Sequence, residues 1–467
     1  MPSHVSRILR SHIFWRVVLL TIVSLAFFRR SATRIGMGGD EPHYLLGVVS
    51  LVEDGDANVY NNYANKDYRK FLYPLTLHPQ MKEIRPGVLI TEHGVGFPLL
   101  LAIPWRIGKL TGVHGFLFLV ALLAILLVAR CCDLLSGSLW TGTLAGLLLG
   151  FCPTWLMHSR SVFPECTAGF VTALISLLLI LLSRNPDAQR ERFRPFLLGL
   201  LFFFPAVYLR YAPLIVPLYL MVPFSPVLRR MRWLYVGLGA GALLVLAVQI
   251  RFPGPGSIVP LVIGVVGLTV PTALTGCFGR LWNNWFDRSY GLVVYTPWVI
   301  LVPWAVVYFR PRFRPFRIGY AESAALAVLG YCLMFGPWNL GPGSSVAGRY
   351  LCSAIPLMAI LVALWCGRGS SLLNERTAVV GALLCVSVVF VVVSIWRWTA
   401  PFGIFAYGYP LIYGEYWDAV GDRAANSSGL PGMALLSLVV VTKLGAIYWS
   451  RRAGGGGARV AAPGDAS

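Results

Sequence analysis

The sequence predicts an all-α polytopic membrane protein, with about twelve transmembrane helices and a long first extracytoplasmic loop that holds surface-lying helices. Three observations predict it. Of 467 residues, 57% are hydrophobic and only 12% charged, a balance that a soluble domain of this length does not tolerate. The apolar residues fall in runs long enough to cross a bilayer. The arginines cluster in the short connections between those runs, and one topology puts nearly all of these clusters on the same side.

Taken in order, the chain starts with a basic region and the apolar run Ile13 to Phe28, which is followed by no small-residue cleavage site. It reads as a retained first membrane helix, with Arg16 snorkelling to the interface. The polar stretch from Arg29 to about Gly96 holds eight acidic residues (Asp40, Glu41, Glu53, Asp54, Asp56, Asp67, Glu83, Glu92) and the histidines His43, His78 and His93. Polar chemistry is concentrated there. Phe97 to Leu110 is apolar but interrupted by Pro104, Arg106 and Lys109, so it is expected to lie along the membrane surface. Residues 29–112 thus form the first outer loop.

Spans are expected near 113–130, 138–155, 162–182, 196–209, 212–225 and 233–250. The run Ile258 to Leu274 contains Pro260, Pro271 and several glycines, and the arginines decide its placement. If it does not cross, then Arg184/Arg190/Arg192/Arg194, Arg229/Arg230/Arg232, Arg310/Arg312/Arg314/Arg317, Arg368/Arg376 and Arg451/Arg452 all fall on the cytoplasmic side. It is therefore read as re-entrant or surface-lying. Spans follow near 293–309, 319–336, 351–367, 377–395 and 433–449. Residues 1–452 form one membrane domain, and the Gly/Ala-rich tail 453–467 is expected to be disordered and cytoplasmic.

The formal charge of +20 belongs to topology and lipid headgroups rather than to nucleic acid, because no nucleic-acid-binding module surrounds the arginines. The nine cysteines show no metal-ligand spacing and read as small core residues.

In this topology the outer face gathers Asp40, Glu41, His43, Glu92, His93, the connection His158-Ser159-Arg160, Arg210-Tyr211, Trp282 to Tyr290, and Gly341 to Tyr350. Asp40 or Glu41 can serve as a helix N-cap, with Pro42 in the first turn. Glu165 follows Pro164 at the outer end of a span, where an ionisable group is either functional or a carboxylate favoured by the helix dipole. Arg349 stands where a span begins and suits a headgroup phosphate or an interfacial anchor. Arg210 has the same two readings. Asp287 can pair with its neighbour Arg288. His93, beside Gly94, can donate to a phosphate or sugar. A divalent metal held by Asp40, Glu41, His43 and Glu92 has no fixed ligand spacing behind it and stays open.

Five motifs in order, GGDEPHYLLGVVSLVEDGD (38–56), TEHGVGFPLLLAIPW (91–105), SVFPE (161–165), FDRSYGLVVYTPW (286–298) and SVAGRYL (345–351), resemble the multi-span glycosyltransferases of the C-type fold. The nearest branch holds the protein mannosyltransferases that use dolichyl-phosphate-mannose and the lipid A aminoarabinose transferases. The resemblance covers roughly residues 10–400; the apolar run 258–274 departs from it. It implies an inverting transfer of a sugar from a polyprenyl-phosphate carrier to a lipid, glycan or protein acceptor at the outer face of the plasma membrane. It also implies that Asp40, with Glu41 beside it, is the catalytic base. His43, His93, Glu165, Arg210, Asp287, Arg349 and Tyr350 are the substrate-binding candidates, and a divalent metal is the one cofactor left open. A transporter or lipid flippase would share the spans and the basic composition, but would carry ionisable groups at the membrane midplane. A non-catalytic membrane scaffold is the third reading.

Overall fold

Pro42 can stand only in the first turn of a helix, since it has no N–H to donate, and α1 (Glu41–Val49) begins one residue before it. In the computed structural model, residues 39–71, 76–159, 161–184, 211, 214, 218, 285–286, 291–309, 319–335, 348–367 and 375–397 are described. The chain divides into two compact units, Met1–Ile412 and Tyr413–Ser467, and all described residues belong to the first. The expected spans at 13–28, 196–209, 212–225, 233–250 and 433–449 and the run 258–274 lie outside the described residues, apart from isolated positions.

α1 runs on into a wide turn, Ser50–Asp54, ended by Gly55 at a φ of 79°. α2 (Tyr60–Ala64) and a 3-10 turn (Asp67–Lys70) follow. Leu46, Val59, Tyr63 and Tyr68 make a small core beneath them. The all-α expectation needs one correction here. Met81–Arg85 (β1) and Val88–Thr91 (β2) pair antiparallel, with Met81 opposite Thr91 and Lys82 opposite Ile90. The turn is Pro86-Gly87, and Gly87 takes a φ of 76°, the left-handed geometry that glycine adopts without strain.

α3 (Gly96–Ser136) bends at Gly108 and Lys109, whose φ/ψ values are non-helical. Its first part buries Phe97, Leu101 and Trp105 and exposes Leu99, Ile103 and Ile107, the last to 80%. An apolar outer face at four-residue spacing is what a surface-lying segment requires. Lys109 sits at φ 49°, held by Glu53 at 3.2 Å and by the face of Trp105 at 5.4 Å. At this bend the chain folds back so closely that a methyl on Gly112 would overlap the Pro104 carbonyl oxygen. Gly112→Ala is therefore expected to destabilise the protein by about 1–3 kcal/mol, read as a lower thermal midpoint in detergent.

Beyond the bend, α3 packs against α4 (Leu139–Gly150), α6 (Glu165–Arg184) and α11 (Ile355–Gly367). α11 is buried from Ile355 to Cys366 on every face, as befits an apolar helix at the centre of a bundle. Around it stand a 3-10 turn (Pro297–Leu301), which the short α7 (Leu292–Tyr295) precedes, α8 (Val302–Tyr308), α9 (Tyr320–Phe335) and α12 (Glu375–Arg397). Two expected single spans are broken. The run 138–155 stops at Gly150 and restarts as the short α5 (Pro153–His158), and 293–309 is interrupted at Thr296 before Pro297. Proline at each restart explains the breaks, because its ring and missing N–H stop a continuing helix. Among the described residues, α3 and α6 are the two helices long and apolar enough to cross a membrane.

Candidate active site

Asp40 occupies the N-cap position of α1, yet its side chain makes no capping bond. Its backbone carbonyl accepts from the amides of His43 and Tyr44, both at 3.1 Å, so the turn is closed without the carboxylate. That leaves the carboxylate for a distant partner. Arg349 Nη2 donates to Asp40 Oδ2 at 2.6 Å, and Arg349 Nε donates to Glu165 Oε1 at 3.0 Å. One guanidinium thus bridges two carboxylates, from the start of α1 and the start of α6.

Local structure explains how each arrives. Glu165 opens α6 directly after Pro164 and is fully buried. Gly348, at φ 69°, stands before α10 (Arg349–Cys352), and a Cβ there would press on Leu292 and Thr154. The tight approach places Arg349 at 4% exposure, with its guanidinium 4.1 Å over the Phe163 ring. Burial works against the arginine's charge, but the carboxylates of Glu165 and Asp40 outweigh it and hold its pKa above the ordinary value. Ser353 Oγ donates to the Glu165 carbonyl at 3.1 Å, which ties α10 to the start of α6. Asp40 is less enclosed, with its side chain 25% exposed.

The structure separates the adjacent carboxylates Asp40 and Glu41. Glu41 is buried and accepts from the Val162 amide at 2.5 Å, so it fastens α1 to the segment that carries Phe163 and Glu165. His93 Nε2 lies 3.8 Å from Asp40 Oδ1, too long for a direct hydrogen bond, and 2.9 Å from Gln80 Oε1. His43 faces away from Asp40: its Nδ1 meets the Tyr63 hydroxyl at 2.6 Å. Tyr350 is half-buried beside Arg349, 5.5 Å from ring centroid to guanidinium. Arg210 and Asp287 lie outside the described residues.

The four-residue metal set does not converge. Glu41 is turned to Val162, His43 to Tyr63, and Glu92 is exposed. Among the described residues no group of three His, Cys, Asp or Glu side chains is placed to hold a metal ion. These four residues therefore do not fit a metal.

Sequence reasoning missed Phe163, Val162, Tyr63 and Gln80 as parts of this region, whereas the connection holding His158 was expected at the same face. Phe163 and Val162 stand inside a quoted motif, so their position was available; nothing in the spacing of Tyr63 or Gln80 marks them. His158 is wholly buried, its ring set edge-on to Phe163 with centroids 6.1 Å apart. Burial pushes the His158 pKa down to about 4, the Arg349 charge adding to this and Glu165 opposing it. Burial, together with the charge of His93 and against that of Asp40, brings His43 to about 4 as well.

Both rings would titrate near 6.5 once unfolded, so between pH 6.5 and 4 the unfolded chain binds more protons than the folded one. Their contribution is complete above about pH 6.5 and is lost as pH falls toward 4. The thermal midpoint is therefore expected to drop between pH 7.5 and 5, and to drop less in a His43→Gln/His158→Gln variant.

No protein-family model matches the chain, and no curated protein matches it. Among solved structures it is similar to ArnT from Cupriavidus metallidurans bound to undecaprenyl phosphate, at 16% identity and a TM-score of 0.46, over 92% of this chain and 75% of that one. It is similar also to the apo oligosaccharyltransferase of Archaeoglobus fulgidus, at 12% identity and a TM-score of 0.49, over 91% of this chain and 60% of that one. A third similar structure is AglB from Archaeoglobus fulgidus in complex with an inhibitory peptide and a dolichol-phosphate, at 12% identity and a TM-score of 0.45, over 91% and 59% of the two chains.

Proposed function

We propose that the chain is an inverting glycosyltransferase that moves a sugar from a polyprenyl-phosphate carrier to an acceptor hydroxyl or phosphate at the outer face of the plasma membrane. The observation that carries the reading is the bridge Asp40–Arg349–Glu165. It sets a partly exposed carboxylate, which can act as a base, against a buried cation, which can take up phosphate charge.

The chemistry follows from the charges. With a hydroxyl acceptor, the oxygen attacks the anomeric carbon from the face opposite the phosphate, so one carboxylate suffices and no protein nucleophile is needed. Asp40 takes the hydroxyl proton as the new C–O bond forms. The bond between anomeric carbon and phosphate oxygen breaks, its electron pair stays on that oxygen, and the phosphate goes from one negative charge to two. Arg349 stabilises that developing charge. Protonation of Asp40 removes one of the arginine's two counterions as the phosphate gains a charge, so the local charge balance is kept through the reaction. Glu165 remains as the fixed partner that holds the guanidinium in place.

The apolar face of Leu99, Ile103 and Ile107 supports the placement of this site at a membrane surface, where a lipid-linked donor arrives with its carrier in the bilayer. In this reading the first outer loop is residues 29–112, the remaining spans complete a bundle of about twelve, and the partners are the lipid donor, the acceptor and membrane lipids. The test is transfer of a labelled sugar from a polyprenyl-phosphate donor by the purified protein, with the anomeric configuration of the product read by NMR. Retained configuration would contradict direct displacement.

A further inference from the structure

His158 ends α5 and is wholly closed from solvent. Among the described residues neither of its ring nitrogens has a hydrogen-bond partner. The groups that follow it in sequence have their hydrogens committed elsewhere. Ser159 Oγ donates to the Leu156 carbonyl at 2.7 Å, Ser161 Oγ to the Met157 carbonyl at 3.1 Å, and the Val162 amide to Glu41. A buried imidazole with both nitrogens unused costs the fold the desolvation of two polar atoms. An apolar side chain of similar size would avoid that cost, so the histidine calls for a partner of another kind.

Its surroundings say which kind. The Phe163 ring stands edge-on to His158, with centroids 6.1 Å apart, and carries the Arg349 guanidinium 4.1 Å over its face. The charges of Arg349 and Glu165 both reach the imidazole. His158 thus lies beside the cation that takes the phosphate charge in the transfer reading, and in a polyprenyl-phosphate donor the sugar is bonded to that phosphate. Burial keeps the imidazole neutral, so it offers one N–H and one bare nitrogen. A phosphate oxygen only accepts and an ammonium only donates, whereas a hydroxyl does both. A water could satisfy the ring as well, but a buried water is held by about two to four hydrogen bonds, and the neighbouring hydrogens are already spent.

We propose that His158 is a binding residue for the transferred sugar, giving or taking a hydrogen bond at one of its hydroxyl groups while Arg349 holds the phosphate. The inference rests on the transfer reading above, from which it takes the ligand. Phe163 packs against both His158 and Arg349, so its ring must shift as the sugar enters. His158 selects the sugar and moves no proton in the reaction.

The test is a pair of binding titrations on the full chain in lipid. One uses a polyprenyl-phosphate sugar, presented in turn as pentose, hexose and amino sugar; the other uses polyprenyl phosphate that carries no sugar. His158→Leu is expected to raise the Kd for the sugar-bearing lipid about tenfold and to leave the Kd for the bare lipid phosphate unchanged. Its thermal midpoint should match or exceed that of the unchanged protein, because two unpaired polar atoms are gone. His158→Gln keeps a donor and an acceptor and is expected to retain most of the affinity. For the sugar that the unchanged protein binds tightest, removing its hydroxyls one at a time should find one whose loss weakens binding as much as His158→Leu does. That arm needs no variant, so it answers the question if His158→Leu fails to fold. Equal weakening toward both lipids would make His158 a support for Arg349, and unchanged affinity for the sugar-bearing lipid would mean a buried water only. Either result, or binding indifferent to every hydroxyl, would overturn the sugar contact while the transfer reading stood. A protein whose sugar affinity depends on His158 but which transfers no sugar would overturn the transfer reading alone.

Discussion

Asp40→Asn is expected to lower the rate of sugar transfer by roughly 10²- to 10⁴-fold and to leave the protein folded. Asparagine has nearly the same shape as aspartate, and its amide oxygen can still accept from Arg349 Nη2, which lies 2.6 Å from Asp40 Oδ2. What it lacks is a basic oxygen for the acceptor's proton. Stability should change little, because Asp40 is partly exposed and Arg349 keeps its buried partner Glu165 at 3.0 Å. Donor binding should hold or tighten, since one of the two carboxylates competing with phosphate for Arg349 has lost its charge. A fall in kcat with KM unchanged or lower, measured at saturating acceptor, is the signature of a lost base. A rise in KM alone would assign Asp40 to donor binding instead.

Arg349→Met should have the largest effect on stability. It leaves Glu165, whose side chain is 1% exposed, with its principal counterion gone, and removing one member of a buried ion pair costs about 3–5 kcal/mol. Pairing it with Glu165→Gln should restore most of that loss, because the remaining buried group is then neutral. Activity should stay absent in the double variant, since nothing takes up the charge of the leaving phosphate. Arg349→Lys is expected to fold better than Arg349→Met but to transfer poorly, because an ammonium cannot span the Nε and Nη2 contacts of a planar guanidinium. Thermal unfolding of the four proteins separates the structural part of the arginine's role from its chemical part. Equal stability of Arg349→Met and the unchanged protein would mean that the bridge is not formed.

Much of the fold was legible where hydrophobic pattern alone decides structure. α6 could be read from the apolar run after Pro164, and the separateness of the segment before the bend in α3 from Pro104, Arg106 and Lys109. The breaks before Pro153 and at Pro297 were legible too, in the prolines themselves, but mean hydropathy carried the reading straight across them. The hairpin was missed although Pro86-Gly87 is a turn signal, because β1 and β2 are short and lie in a stretch dominated by charge.

For the site, the residue types were legible and their pairing was not. Asp40, Glu165 and Arg349 each stood out as an ionisable group at the edge of an apolar segment. That one guanidinium joins them depends on contacts spanning 309 and 184 residues, which no local pattern encodes. The pair Asp40-Glu41 looked like one functional unit, and the structure gives its members different partners. The backbone at the helix start accounts for this: Asp40 is the N-cap of α1 in near-helical geometry and Glu41 its first residue, so their side chains leave about 100° apart, one toward Arg349 and the other toward Val162.

The most direct measurement is transfer itself. Purified protein in lipid is incubated with polyprenyl-phosphate donors labelled in the sugar, presented in turn as pentose, hexose and amino sugar, with membranes from cells lacking the protein as acceptor. Label from one of these donors is expected to leave the carrier and appear on the acceptor with the unchanged protein but not with Asp40→Asn. Label that stays on the carrier with every donor, or that moves as fast with Asp40→Asn as without it, would contradict sugar transfer with Asp40 as its base.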